Sequence, residues 1–251
     1  NAQRRKAFAD KAFAAATQVR RVVFADALNY TDGAGLMRAL RGKSFDHVAC
    51  EDWATMAFKK VGIWASSIRA MGLAMRERAP TLVVEEDVHF TDSFAGHLDM
   101  VVERSRAVDF IFLGSCNERF ARVRECKRVG GGLFMSTPVT PVCAHALLVS
   151  PQGAANIVTV LSDWGDTYWQ RTKDMHQPTD CDKATGTGHL GEFEKEWWEL
   201  YRGKDDAVRE AVFSKRLRAL HAWPQLALQE DHLNDHRFTY RGLMPKACRA
   251  T

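Results

Sequence analysis

Three carboxylates in a row, Glu85-Glu86-Asp87, follow directly on the apolar run Leu82-Val83-Val84. A short continuous apolar run fits an interior strand of a largely parallel sheet, covered on both faces. Acids that appear where such a strand ends sit at the carboxyl edge of the sheet, where open α/β sheets bind ligands. Carboxylates this close repel one another unless a cation or hydrogen bonds compensate. Hard oxygen ligands suit Mg²⁺ or Mn²⁺, and either ion can also hold a diphosphate. The competing reading is a solvated turn whose acids cap the next helix, and the segment by itself leaves both open.

Other residues carry weaker signals. His145 lies on an expected strand, where a histidine satisfied within the core is the commoner outcome and a place lining a pocket the rarer one. Gly130-Gly131-Gly132 lacks the strand-glycine-helix setting of a phosphate cradle, so a mobile loop is expected there. Trp197-Trp198 could stack on a sugar ring, although a core or interface role is commoner. The six cysteines (Cys50, Cys116, Cys126, Cys143, Cys181 and Cys248) include no CxxC pair, which argues against a structural zinc site. Cys116 and Cys126 are close enough in sequence to close a short loop in an oxidising compartment. With the sequon Asn29-Tyr30-Thr31, this leans toward a secretory lumen; a bacterial source would make the chain cytoplasmic.

The elements that must position the acids follow from pattern. Residues 4–17 read as an Ala-rich helix with Phe8 and Phe13 toward the core. RVVFADA, residues 21–27, reads as a buried strand ending near the turn signal Asp32-Gly33. Residues 61–78 read as a helix, because Trp64, Ile68, Met71 and Met75 recur at one-face spacing, and Pro80 closes it. After the acids, Asp92 or Ser93 caps a helix bearing Phe94, Leu98, Val101 and Val102. DFIFL, residues 109–113, is the next strand, stopped by Gly114. Residues 143–150 form another, and Ser150-Pro151 then opens a helix through Leu161. This alternation argues for an α/β sandwich. Residues 170–192 read as a long loop and 193–218 as a charged helix. No linker is visible, so 1–251 reads as a single domain with an elaborated C-terminal third.

Bulk properties set limits. The 251 residues are 46% hydrophobic and 26% charged, ordinary for a globular protein, and seven Trp and fourteen Phe can fill a substantial core. The net charge of +4 is mild and scattered, so no nucleic-acid partner is expected. No apolar stretch approaches the roughly 20 residues of a membrane span. The chain opens on Asn1 and reads as a trimmed domain.

Taken in order, the segments resemble glycosyltransferase family 25, which includes lipo-oligosaccharide and collagen galactosyltransferases. The family's strand ending in Glu-Asp-Asp-Val is matched by Glu85-Glu86-Asp87-Val88. Asn1-Ala2-Gln3-Arg4-Arg5 resembles its Asn-Leu-x-x-Arg opening, and Asp32-Gly33 its early turn. Residues 62–70 (GIWASSIRA) resemble its Gly-Cys-x-x-Ser-His-x-x-Ala helix, and Asp109 to Gly114 its Trp-Asp-x-x-x-Leu-Gly strand. Residues 143–154 (CAHALLVSPQGA) resemble Thr-His-Ala-Tyr-x-x-Ser-x-x-Gly-Ala, and Trp223-Pro224 through Gln229 resembles Tyr-Pro-x-x-x-Gln. The likeness spans about nine tenths of the chain. Departures are Glu86 where the family has Asp and Ser67 where it has His, and residues 170–218 have no counterpart.

The resemblance implies a GT-A fold, a Rossmann-like nucleotide-sugar-binding sandwich. Residues 1–161 would form its donor-binding part and 162–251 its acceptor side. It implies Mn²⁺ (or Mg²⁺), a UDP-sugar donor, a glycan or glycoprotein acceptor, and inverting transfer of a hexose such as galactose. On these terms Asp87, Glu86 and His232 hold the metal, with Asp231 beside His232 as a further candidate. Asp32, Gly33, Ser66, Arg69, Glu85 and Glu86 belong to the donor side. Asp166, with Asp163 behind it, is the base for the acceptor hydroxyl. Two alternatives stay open: an inactive relative that binds or adheres, and a metal-dependent phosphohydrolase or nucleotidyltransferase.

Overall fold

A computed structural model describes residues 5–7, 9–10, 12, 19, 21–28, 51–116, 123, 125–138, 142–174, 204–229 and 245–249. Asp32, Gly33, Asn29, Trp197, Trp198, Asp231 and His232 lie outside the described residues. The chain divides into two compact units, one from residues 1–24, 71–156 and 209–251, the other from 25–70 and 157–208.

The first unit is a mixed α/β structure. Its elements are the end of α1 (Glu51–Ala74), β1 (Thr81–Val84), β2 (Val88–Phe90), α2 (Phe94–Ser105), β3 (Phe110–Cys116), β4 (Lys127–Gly130), β5 (Leu133–Ser136), β6 (Val142–Val149), the start of α3 (Pro151–Asp174), the second half of α4 (Lys204–Phe213), β7 (Ala219–Trp223), β8 (Ala227–Gln229) and α5 (Lys246–Arg249). Six strands form one sheet in the order β1-β6-β3-β7-β5-β4, and β2 with β8 form a separate two-stranded ladder. Only β3 and β7 pair in parallel among the described strands; β1–β6, β3–β6, β5–β7 and β4–β5 are antiparallel.

The centre of the sheet is the most apolar sequence. Phe110, Ile111, Phe112 and Leu113 are all buried, as are Ala146 through Val149 on β6. Alternation sends these side chains to opposite faces. Ile111, Leu113, Ala146 and Leu148 join a core with Phe94, Leu98 and Val101 of α2. Those three recur at helical spacing, so a single stripe of α2 meets the sheet. Phe112 instead lies against His221, whose ring is 3.9 Å from that of Trp223.

Several expectations change. Leu82-Val83-Val84 is an edge strand, antiparallel to β6 and only half-buried. Leu82 and Val84 pack through one face on the α2 core, and Val83 between them is half-buried on the other. A continuous apolar run cannot distinguish this from burial on both faces. Residues 21–28 form no strand, and Val23 is 51% exposed. Side chains hold this stretch in place of a ladder: within the first unit Arg21 pairs with Glu77, and within the second Ser66 and Arg69 bond to its backbone. Gly114 does not stop β3, which runs to Cys116 with its register against β6 shifted around Gly114. Ser93 occupies the N-cap position of α2 but makes no capping bond, its hydroxyl lying 3.1 Å from that of Thr91. Gly131 and Gly132, both at positive φ, turn the β4–β5 hairpin where a mobile loop was expected. Positive φ at two successive turn residues favours glycine, and this conformation matches strand twist. The described disulfide joins Cys126 to Cys248, with Cα atoms 5.0 Å apart, in place of the expected Cys116–Cys126 pair.

Other expectations are met. Ser150 caps α3, its hydroxyl accepting from the Gly153 N–H at 3.0 Å, and Pro151 takes the first helical position. The helix nevertheless continues past Leu161 to Asp174. The sequence looked irregular there because its apolar face is aromatic. In the second unit Trp164 stacks on Tyr168 at 4.8 Å, and the Trp64 ring of α1 packs so close to Gly165 that a Cβ there would lie 2.3 Å from it. The Trp64 indole N–H also donates to the Leu161 carbonyl. Among the described residues, no helix is long and apolar enough to cross a membrane.

Candidate functional site

Glu85, Glu86 and Asp87 form the tight connection between β1 and β2. Two backbone bonds fix it: the Glu85 N–H donates to the His145 carbonyl at 2.9 Å, and the Val88 N–H returns to the Glu85 carbonyl at 3.3 Å. The first continues the β1–β6 ladder by one residue. The second closes a turn of four residues. Glu86 at the tip is exposed, while Glu85 and Asp87 are half-buried.

Those two flanking carboxylates converge on one amide. Gln229 Nε2 donates to Asp87 Oδ2 at 3.0 Å and to Glu85 Oε2 at 3.4 Å. The partner comes from 142 and 144 residues away because β2 and β8 pair antiparallel, with Gln229 directly opposite Val88. The other oxygen of Asp87, Oδ1, is buried and accepts no hydrogen bond. A buried carboxylate oxygen left unsatisfied is costly, and it calls for a ligand, an ion or a proton.

β8 is itself held closely. The Leu226 N–H donates to Leu113 O at 2.7 Å, and Thr91 N–H and Oγ both bond to Leu226 O. Buried His145 lies with Nε2 3.4 Å from Ala227 O. Gly114 sits under the same carbonyl, so near that an added Cβ would lie 2.0 Å from it. Glycine at 114 therefore makes room for the strand that delivers Gln229.

Among the described residues, no three His, Cys, Asp or Glu side chains form a metal-sized group. The carboxylates on the turn are Asp87, whose Oδ1 makes no hydrogen bond, and Glu85, with exposed Glu86 beside them. Magnesium-type ions are commonly bound through one or two carboxylates, with substrate phosphates and water completing the shell. Two carboxylates are the kind of donor such an ion takes, and Asp87 Oδ1 is the oxygen left without a hydrogen bond.

The other described candidates belong to the second unit. Ser66 Oγ accepts from the Leu28 N–H at 2.8 Å and donates to Gly62 O at 2.6 Å. Arg69 donates to Asp26 O at 2.9 Å, and Ser67 Oγ donates to Ile63 O. Asp163 and Asp166 are exposed on α3, one turn apart, where a connection after the helix was expected. Gln229 had stood in the sequence only as the last letter of a motif; no local signal connects it to acids more than a hundred residues earlier. Comparison with protein-family models, curated proteins and solved structures finds no match.

Proposed function

We propose that this chain is the catalytic domain of a metal-dependent, inverting glycosyltransferase of GT-A type, which moves a hexose such as galactose from a UDP-sugar to a glycan or glycosylated protein. One observation carries the reading: an acidic turn after a sheet strand, whose Glu85 and Asp87 are drawn together by Gln229 while Asp87 Oδ1 stays buried and unsatisfied. The six-stranded mixed sheet is compatible with a Rossmann-like donor-binding core. The order of motifs shared with family 25 supports it further.

In this reading Asp87 and Glu85 would hold Mn²⁺ or Mg²⁺, Glu85 taking the ligand place that the resemblance gave to Glu86, which stands exposed at the tip of the turn. A bound divalent ion supplies neutralisation of the departing diphosphate. Asp166, with Asp163 behind it, keeps the role that the resemblance assigns to it, base for an acceptor hydroxyl. Asp32, Gly33 and His232 keep the donor and metal roles that the resemblance assigns to them. The Cys126–Cys248 disulfide suits an oxidising lumen.

The test is a panel of nucleotide sugars incubated with the protein, with donor hydrolysis and transfer measured in Mn²⁺ and in EDTA. Consumption of one UDP-sugar, abolished by chelator and restored by Mn²⁺, is the expected result. Binding of UDP without turnover of any donor would favour a non-catalytic relative. Full activity in EDTA would remove the metal assignment.

A further inference from the structure

The Asp87–Glu85 pair needs more than proximity to serve a cation. Two carboxylates on one short turn repel, and each can rotate its oxygens away from the other. The structure answers this with a neutral donor. Gln229 Nε2 carries two hydrogens, enough for one bond to each carboxylate. An amide holds the two acids without cancelling their charge, whereas Lys or Arg at 229 would supply the positive charge that a metal ion brings. By taking Asp87 Oδ2, the amide also decides which oxygen remains. That oxygen, Oδ1, is the buried acceptor without a hydrogen bond.

Gln229 can do this only if its strand does not drift. The β2–β8 register sets its Cα opposite Val88, the residue after Asp87. The strand is anchored from β3 through Leu113 O, its first residue lies beside His145 of β6, and its approach to β3 depends on the missing side chain at Gly114. Outer partners that orient metal-binding carboxylates commonly matter 10- to 100-fold in affinity.

We propose that Gln229 is the positioning residue of this site: its amide fixes Glu85 and Asp87 side by side and reserves Asp87 Oδ1 for the cation. This rests on the metal reading given above, so the test separates the two. The variants are Gln229→Met, which keeps length and packing but has no donor, and Gln229→Ala. Mn²⁺ is titrated calorimetrically into each. Separately, without metal, the Gln229 side-chain amide signals are followed by NMR in the parent and in Asp87→Ala, assigned by their loss in Gln229→Met. The expected outcome is Mn²⁺ affinity lower by about 10- to 100-fold in Gln229→Met, with an unfolding midpoint close to the parent's. The amide signals should shift in Asp87→Ala. Parent-like Mn²⁺ affinity in a folded Gln229→Met overturns the proposal, and so do amide signals indifferent to Asp87→Ala. If the parent binds no Mn²⁺ while the amide still responds, the bridge stands and the metal reading falls. Should Gln229→Ala fail to fold, Gln229→Met carries the comparison alone.

Discussion

Gly114→Ala joins the fold to the site in a single methyl group. Gly114 is buried in β3, and a Cβ built on it lies 2.0 Å from the Ala227 carbonyl oxygen, 2.5 Å from His145 Nε2 and 2.9 Å from the Ala227 carbonyl carbon. Two of these atoms are backbone, so no flexible side chain can swing aside. Ordinary contact begins at about 3.4 Å, and β8 would have to retreat by more than about 1 Å to reach it. Overpacking of this kind costs about 1–3 kcal/mol. The Leu226 N–H to Leu113 O bond, 2.7 Å long and adjacent to the clash, stretches in the same movement and adds about 1 kcal/mol. A loss of about 2–4 kcal/mol is a large share of a typical folding free energy and lowers the unfolding midpoint by about 5–15 °C. The displacement also carries Gln229, two residues beyond Ala227, out of hydrogen-bond reach of Asp87. Mn²⁺ affinity should then fall even where the variant remains folded. Thermal and urea unfolding give the first quantity and calorimetric titration the second. Gly96→Ala is the control: it lies in α2 with nothing within 4 Å of an added Cβ, and should stabilise by about 0.5–1 kcal/mol. Were Gly114→Ala to cost under about 0.5 kcal/mol, the close approach of β8 to β3 would be wrong, and the account of how Gln229 is delivered would go with it.

Asp87→Asn preserves shape and removes the charge, and is expected to lower metal-dependent transfer by at least about 100-fold; Glu85→Gln should lose less, and equal rates for Asp87→Asn and parent would place the site elsewhere. Asp109→Ala strips a buried carboxylate that accepts from the Arg218 N–H at 2.6 Å and from Asn156 Nδ2 at 2.8 Å. Left without that acceptor, the two donors should cost about 2–4 kcal/mol in urea unfolding, with no direct effect on Mn²⁺ binding. Replacing Cys126 and Cys248 together by Ser opens a loop with a sequence separation of 122. Chain entropy puts this at about 4–5 kcal/mol, read as a lower denaturation midpoint; an unchanged midpoint would argue that the bridge does not form.

The α2 stripe, the buried centre of β3, the strand at β6 and the Ser150-Pro151 helix start were all legible, because each is written in neighbouring residues. Spacing of Phe94, Leu98 and Val101 reports a helical face without knowledge of anything distant. What failed was pairing. Leu82-Val83-Val84 reads the same whether its edge is covered or open, and RVVFADA has strand composition yet no partner strand among the described residues. Helix ends were lost for a related reason. Beyond Leu161 the apolar positions are Trp164 and Tyr168 with Gly165 between them, a pattern that looks like a break until the Trp64 ring fills the space above the glycine.

The site divides along the same line. Three adjacent carboxylates after an apolar run could be seen directly, since a strand end and a charge cluster are local facts. Which of them works with which could not. The sequence offers Glu85, Glu86 and Asp87 as equivalents, and the fold breaks the tie through the turn, leaving Glu86 exposed at its tip and the other two half-buried. It then adds a fourth residue from the far end of the chain. Gln229 reaches that turn because β8 pairs with β2, and β8 lies where it does because residue 114 has no side chain. A glycine in one strand, a glutamine in another and an acidic turn in a third connection therefore form one mechanical unit. Its members should fail together: Gly114→Ala and Gln229→Met, combined, should weaken Mn²⁺ binding little more than the stronger of the two alone. Additive losses in the double variant would mean that the glycine acts on the site by some route other than the amide.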